Sequence, residues 1–279
     1  MKEDRRQDSE SRISWHPAFV EALQMELDAY KDVLEFCPEC PLTSEPLQID
    51  CVIIKKTKNV TIDKNIAAIF RTWNLLEYKS PDDYVSTADF YKVYGYACLY
   101  ASFNNIPITE MTVTFIESHY PEKLLEHLKK VRGYTVEETG PGIYNISGDI
   151  LPIQIIDSRR LSAEENLWLK SLSNRLDISG FSLISEEISR LGKAVRIAAY
   201  LDVIARANAG TMKEVIQMSN ALTIEQVFED VGWIAKWEAR GGEQKALKIA
   251  QNMVALGLPF EAIVSATQLE PEKVKALYQ

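Results

Sequence analysis

Apolar positions recur at two different periods over the first 160 residues and at a single helical period beyond them. Phe19, Leu23, Leu27, Tyr30 and Leu34 fall at helical spacing and predict a helix over 17–35, with Pro17 in its first turn. At 100° per residue, Glu26 lies at the edge of that stripe, between Leu23 and Tyr30, whereas Glu21 lies nearly opposite and is expected in solvent. Apolar runs predict strands over 47–56 and 66–79, with Lys58-Asn59 as a turn, and Ser80-Pro81-Asp82-Asp83 breaks the chain before a helix from Thr87 to Phe103. Phe90, Val93, Tyr94, Ala97, Leu99 and Ala101 form the main stripe of that helix, which leaves Tyr91, Lys92 and Tyr96 free to look toward a site. Met111 to Ile116 alternates as a strand, and Glu122 to Val131 reads as a helix. Tyr134 to Glu138 and Ile143 to Ile146 form a hairpin around Gly140-Pro141-Gly142, and Leu151 to Ile156 is a last strand.

Strand signals stop near residue 160. Helical periods follow over Ser162 to Arg175, Ser185 to Ala207, Thr211 to Gln217, Thr223 to Arg240 and Glu243 to Leu256, then Phe260 to Gln268. The pattern divides the chain into a charged tail (1–14), an α/β region (15–178) and a helical region (179–279), with the boundary near Asp177 to Gly180.

With 279 residues, 46% of them hydrophobic and 25% charged, the chain is long enough for a sizeable core and a second, smaller unit. The start, Met1-Lys2-Glu3-Asp4-Arg5-Arg6, has no apolar signal region, and no run of about eighteen apolar residues occurs anywhere, so a cytoplasmic protein is expected. Four cysteines suit a reducing compartment. Cys37-Pro38-Glu39-Cys40 has the spacing of half a zinc knuckle but lacks a second pair, and reads as two unpaired thiols. His16, His119 and His127 are scattered and receive no catalytic role. The net charge of −9 opposes a bulk electrostatic hold on nucleic acid. The stretch Cys51 to Ser80 is nonetheless locally basic, with Lys55, Lys56, Lys58, Lys64, Arg71 and Lys79 against Asp63 and Glu77. Lys55 and Lys56 are the candidates there for holding a phosphate backbone.

Chemistry concentrates in two segments. In Leu75-Leu76-Glu77-Tyr78-Lys79 a strand's alternation turns Glu77 and Lys79 to one face and Leu76 and Tyr78 to the other. Asp50, ending Leu47-Gln48-Ile49-Asp50, joins them if its strand pairs beside theirs, giving two carboxylates for one hard, oxygen-preferring cation. Lys79 would then orient or deprotonate an attacking water and offset charge developing on a phosphate.

Gln48-Ile49-Asp50-Cys51-Val52-Ile53-Ile54 and Asn74-Leu75-Leu76-Glu77-Tyr78-Lys79-Ser80-Pro81 resemble the PD-(D/E)XK nuclease superfamily. Within it they look like the PD-(D/E)XK nuclease family transposases, which are related to the recombination-promoting nucleases, over roughly Trp15 to Leu176. The usual Pro-Asp dipeptide is missing: Pro46 lies four residues before Asp50. The resemblance implies an α/β, restriction-endonuclease-like sandwich of a mixed sheet flanked by helices, followed by an all-helical C-terminal region. It further implies a Mg²⁺-dependent (or Mn²⁺-dependent) DNA endonuclease serving recombination or transposition, with Asp50, Glu77 and Lys79 catalytic. Asp50 and Glu77 would hold the metal, Glu26 would be an auxiliary ligand from the first helix, and Lys92 would contact a substrate phosphate. The stretch from Ile249 to Val274 resembles the helical C-terminal segment of these proteins. Phe260 to Gln268 contains no Arg or Lys, which favours a packing or homo-oligomer-forming pair over a DNA-reading helix. The alternative is a noncatalytic, nuclease-like regulatory or protein-interaction module.

Overall fold

The computed structural model describes residues 13–38, 51–191, 197–217, 242, 246–251, 253–254 and 260–278. Asp50, the first twelve residues, the helix expected over Thr223 to Arg240 and part of that over Glu243 to Leu256 lie outside them. The chain divides into two compact units, Met1–Met218 and Ser219–Gln279.

The first unit is an α/β fold on one seven-stranded mixed sheet, ordered β1-β2-β3-β4-β7-β6-β5. The strands are β1 (Leu34–Pro38), β2 (Cys51–Lys56), β3 (Trp73–Tyr78), β4 (Met111–Glu117), β5 (Thr135–Gly140), β6 (Ile143–Ser147) and β7 (Ile153–Asp157). β1-β2-β3 is an antiparallel meander, β3, β4 and β7 run parallel, and β7-β6-β5 is antiparallel again. The three parallel strands are central and nearly all buried, as strands covered on both faces must be. Register is held by a buried polar node: Asn74 donates to Ile54 O and Arg71 O and accepts from Thr112 Oγ1, tying β2, β3 and β4 together.

One face is covered by α2 (Thr87–Phe103) and α3 (Glu122–Val131), whose Phe90, Val93, Ala97, Leu124 and Leu128 pack on Leu75, Val113, Phe115, Ile153 and Ile155. Both helices keep their expected bounds, and α2 is started by a capping box between Ser86 and Asp89. On the other face Phe19 of α1 (Trp15–Glu26) stacks on Tyr78, ring centroids 4.6 Å apart. The expected hairpin is present. Its turn admits only glycine at 142, where φ is +75° and a Cβ would sit 2.5 Å from Asp157 O.

Two expectations at the amino-terminal end are corrected. The first helix ends at Glu26, and Leu34 opens an edge strand instead of closing a helical stripe, because β1 completes the meander on β2. Cys37, on that strand, is disulfide-bonded and not an unpaired thiol, whereas Cys98 is free.

The helices α4 (Ala163–Lys170), α5 (Ile178–Leu191), α6 (Ala198–Ala207) and α7 (Ala209–Gln217) belong to this same unit, so it runs past the boundary expected near 177–180. α6 packs on α1, and Tyr200, fully buried, donates to Trp168 O at 3.0 Å. Glu21, expected in solvent, accepts from Tyr200 N at 2.7 Å in the first turn of α6, and burial raises its pKa. A carboxylate at a helix amino terminus is favoured by the backbone dipole.

In the second unit, α8 (Phe260–Thr267) and α9 (Pro271–Lys275) contribute Ile263 and Val274 to a small core with Ala250 and Leu269. Among the described residues no helix is long and apolar enough to cross a membrane.

Candidate active site

Each of the three parallel strands has two apolar residues and an acid at its carboxyl end, followed in β3 by Tyr78: Leu75-Leu76-Glu77, Phe115-Ile116-Glu117 and Ile155-Ile156-Asp157. Glu77 is level with Phe115, and Glu117 with Asp157, so alternation puts all three acids on the face covered by α2 and α3. They lie at the carboxyl ends of the strands, where ligands gather in open α/β sheets because loops leave the sheet there. All three are buried, at 3%, 1% and 1% exposure, a costly placement for carboxylates unless charge or hydrogen bonds compensate.

Lys79 supplies part of the compensation. Its backbone N–H donates to Ile116 O at 2.9 Å, extending the β3–β4 ladder by one residue. Its Nζ lies 3.5 Å from Glu77 Oε1, 2.9 Å from Asp89 Oδ1 and 3.8 Å from Asp83 Oδ2. Partial burial by itself lowers the ammonium pKa, but the Asp89 hydrogen bond and the charges of Glu77, Asp89 and Asp83 outweigh it, and the pKa is raised. Asp89 moves the other way. Burial pushes it up, yet the Ser86 and Lys79 hydrogen bonds pull it below its ordinary value.

Glu117 is the least compensated member. Val85 N donates to its Oε2 at 3.2 Å, while Oε1 is buried with no hydrogen-bond partner among the described residues. Burial first, and then the negative charges of Asp157 and Asp83, push its pKa up to about 7 against the Val85 bond and the Arg159 charge. Asp157 is paired with Arg159 at 3.4 Å and accepts from Arg159 N at 3.2 Å. A cleft of about 620 Å³ opens beside the acids between the β3–α2 and β4–α3 loops, lined by Asp82, Asp83, Tyr84, Glu117, His119 and Tyr120 among others. Glu77 and Lys79 do not line it; Asp83, which does, lies 3.8 Å from Lys79 Nζ and connects it to them.

The structure thus brings Glu77 and Lys79 together on one face. Asp50 lies outside the described residues, but Cys51, the next residue, pairs directly with Glu77. Glu26 is held elsewhere: Oε2 is 2.6 Å from Lys64 Nζ, and Oε1 accepts from Trp168 N and Leu169 N, joining α1 to α4. Its pKa is raised by burial, which outweighs Lys64 and the two amides. Lys92 is exposed on α2, with Nζ 5.9 Å from the Tyr96 ring. Lys55, above the Trp73 ring at 4.9 Å, and Lys56 sit at the opposite end of β2 from the strand's pairing with Glu77. Roughly 16 Å of strand separates the two ends.

Glu117, Asp157, Asp83 and Asp89 were not anticipated from the sequence. The repeated apolar-apolar-acid ending of three strands was the available signal for Glu117 and Asp157. Among the described residues no three His, Cys, Asp or Glu side chains are grouped to hold a metal ion. No protein-family model, curated protein or solved structure matches the chain.

Proposed function

We propose that this protein is a metal-dependent DNA endonuclease of the PD-(D/E)XK type, with its reaction centre at Glu77 and Lys79. The observation that supports this most is the pairing of a buried Glu77 with Lys79 on the strand beside β2, at the carboxyl edge of the sheet. The element order agrees with what the resemblance implies: a helix, three strands, a helix and a strand, with Glu-x-Lys at the end of a central strand.

The donors present suit Mg²⁺ or Mn²⁺, which prefer oxygen ligands: the acids at this edge are carboxylates, and Glu117 Oε1 is a buried oxygen without a partner among the described residues. Glu77 would hold the cation with Asp50. A bound divalent ion supplies Lewis acidity toward the phosphate and a lower pKa for water. Lys79, with its pKa raised by surrounding acids, stays an ammonium at neutral pH. Its part is therefore to orient the water and offset negative charge on the phosphorane, and not to take a proton. Asp89 fixes the position of Lys79 from the capping box of α2, so the start of that helix sets where the ammonium points.

One observation favours the noncatalytic alternative. Lys79 is already within 3.8 Å of three carboxylates, an arrangement that a purely structural ion cluster would share. The deciding experiment is cleavage of supercoiled plasmid by the parent, Asp50→Asn and Glu77→Gln proteins in Mg²⁺, Mn²⁺ or EDTA. Nicking that needs the metal and both acids supports the nuclease. Folded parent protein that cuts under none of these conditions transfers the case to the noncatalytic module.

A further inference from the structure

A second cavity, of about 770 Å³, lies at the other edge of the parallel strands and is lined by Lys56, Lys58, Arg71, Thr72, Thr109 and Glu110 together with four other residues. Its volume is in the range of small-ligand sites. Its electrostatics differ from those of most other cationic side chains that the fold holds in place, although Lys170, which donates to Arg159 O and Leu161 O, is anchored in the same way. Lys64, Lys79, Arg132, Arg159 and Arg160 are each paired with a carboxylate. By contrast, Lys56 Nζ donates to Val60 O at 3.3 Å and Arg71 Nη1 donates to Thr109 O. A carbonyl fixes a cation's position without cancelling its charge. Lys58 is exposed beside them, and among the described residues none of the three forms an ion pair. The one acid in the lining, Glu110, accepts from Thr72 Oγ1 at 2.6 Å. Two anchored cations and one exposed cation around a single cavity concentrate positive potential there, and an anionic ligand is attracted to it and relieves their mutual repulsion. In a chain of net charge −9 such a concentration does not follow from overall composition.

We propose that this cavity is a phosphate-binding site, separate from the acid-lined edge, in which Lys56, Lys58 and Arg71 bind the phosphate groups of an oligoanion. Thr109 adds a hydroxyl donor of the kind that hydrogen-bonds phosphate oxygens, whereas the Thr72 hydroxyl is committed to Glu110. Free oligophosphate compounds and a nucleic-acid backbone share this chemistry, and the site stands whether or not Glu77 and Lys79 cut DNA.

The test is binding in EDTA, where no metal-dependent cleavage occurs, of two probes: inorganic triphosphate by calorimetry and a short single-stranded oligonucleotide by fluorescence anisotropy. The proteins compared are the full-length parent, Lys58→Glu and Lys56→Gln; Arg71 is left intact because its side chain braces Thr109. Each variant is first shown to melt as the parent does. Binding of triphosphate by the parent, weakened about tenfold or more by Lys58→Glu, assigns the site to free oligophosphates. Binding of the oligonucleotide alone, with the same loss and a flatter salt dependence in Lys56→Gln, assigns it to a nucleic-acid backbone. The proposal is overturned if the parent binds neither probe at low salt, or if both variants bind as the parent does.

Discussion

At one edge of the parallel strands the chain places Glu77, Glu117 and Asp157 in a buried row, and at the other it places Lys56, Lys58 and Arg71 around an open cavity. Both edges belong to one sheet, and they hold charge by different means. The acid edge buries its carboxylates and compensates them in part with Lys79 and Arg159, which leaves Glu117 with an unsatisfied oxygen. The basic edge anchors Lys56 and Arg71 to backbone carbonyls and leaves Lys58 exposed, and so keeps their charge available. The difference separates stored electrostatic strain, which shifts pKa values, from an exposed field that attracts a ligand.

The largest effect expected from breaking the acid edge is on rate. On the proposed reading Glu77→Gln deletes a metal-ligand charge with almost no change in volume, and Lys79 keeps Asp89 and Asp83 as partners. Metal-dependent nicking should fall by roughly 10³ or more, while the melting temperature changes little. Nicking at the parental rate would assign any observed activity to a contaminant.

Lys79→Ala should abolish turnover and also destabilise the fold, because Glu77 is left buried without its cation. Breaking such a pair costs about 3 kcal/mol, which denaturant titration would read directly. Lys79→Arg keeps the charge and should recover most of that stability. An alanine variant as stable as the parent would show that the cluster does not hold the sheet edge together.

Glu117 sharpens the comparison through pH. Its native pKa of about 7 lies above its ordinary value of 4.5, so the folded state keeps this proton longer than the unfolded chain does. Metal-free protein should therefore lose stability as pH rises from about 4.5 to about 7, and level off above that. Glu117→Gln cannot ionise and should be more stable than the parent at pH 8, by up to about 3 kcal/mol, with the gain vanishing near pH 4. A difference that does not depend on pH would mean that Glu117 is compensated in solution.

The smallest effect belongs to the basic edge. Lys58→Gln removes an exposed cation with no ion pair among the described residues, and should alter unfolding free energy by no more than about 0.5 kcal/mol. A larger loss would make Lys58 structural and its charge incidental.

Elements with complete local signals were legible in the sequence. α2 has a capping residue, an apolar stripe and a breaker before it; α3 has its stripe; and the β5–β6 hairpin has its glycine turn. Elements whose apolar residues serve a distant partner were misread. Leu34 fits the spacing of α1 until β2 claims it, and Glu21 looks solvated until α6 arrives from almost 180 residues away. The candidate site shows the same division. Alternation within β3 is enough to put Glu77 and Lys79 on one face, but Asp83 and Asp89 join them only through the path of a loop and a helix cap.

By itself the sequence determined the periods of its helices and strands, the shared face of Glu77 and Lys79, and the uneven charge along the chain, since each depends on spacing between near neighbours. Tertiary structure decided strand polarity and order, and with them everything that requires strands side by side. The parallel run of β3, β4 and β7 aligned three separate acids into one buried row, and the antiparallel pairing of β2 on β3 sent Lys55 and Lys56 to the opposite edge from Glu77. Strand pairing is a long-range choice made by packing of the whole sheet, and no local pattern carries it.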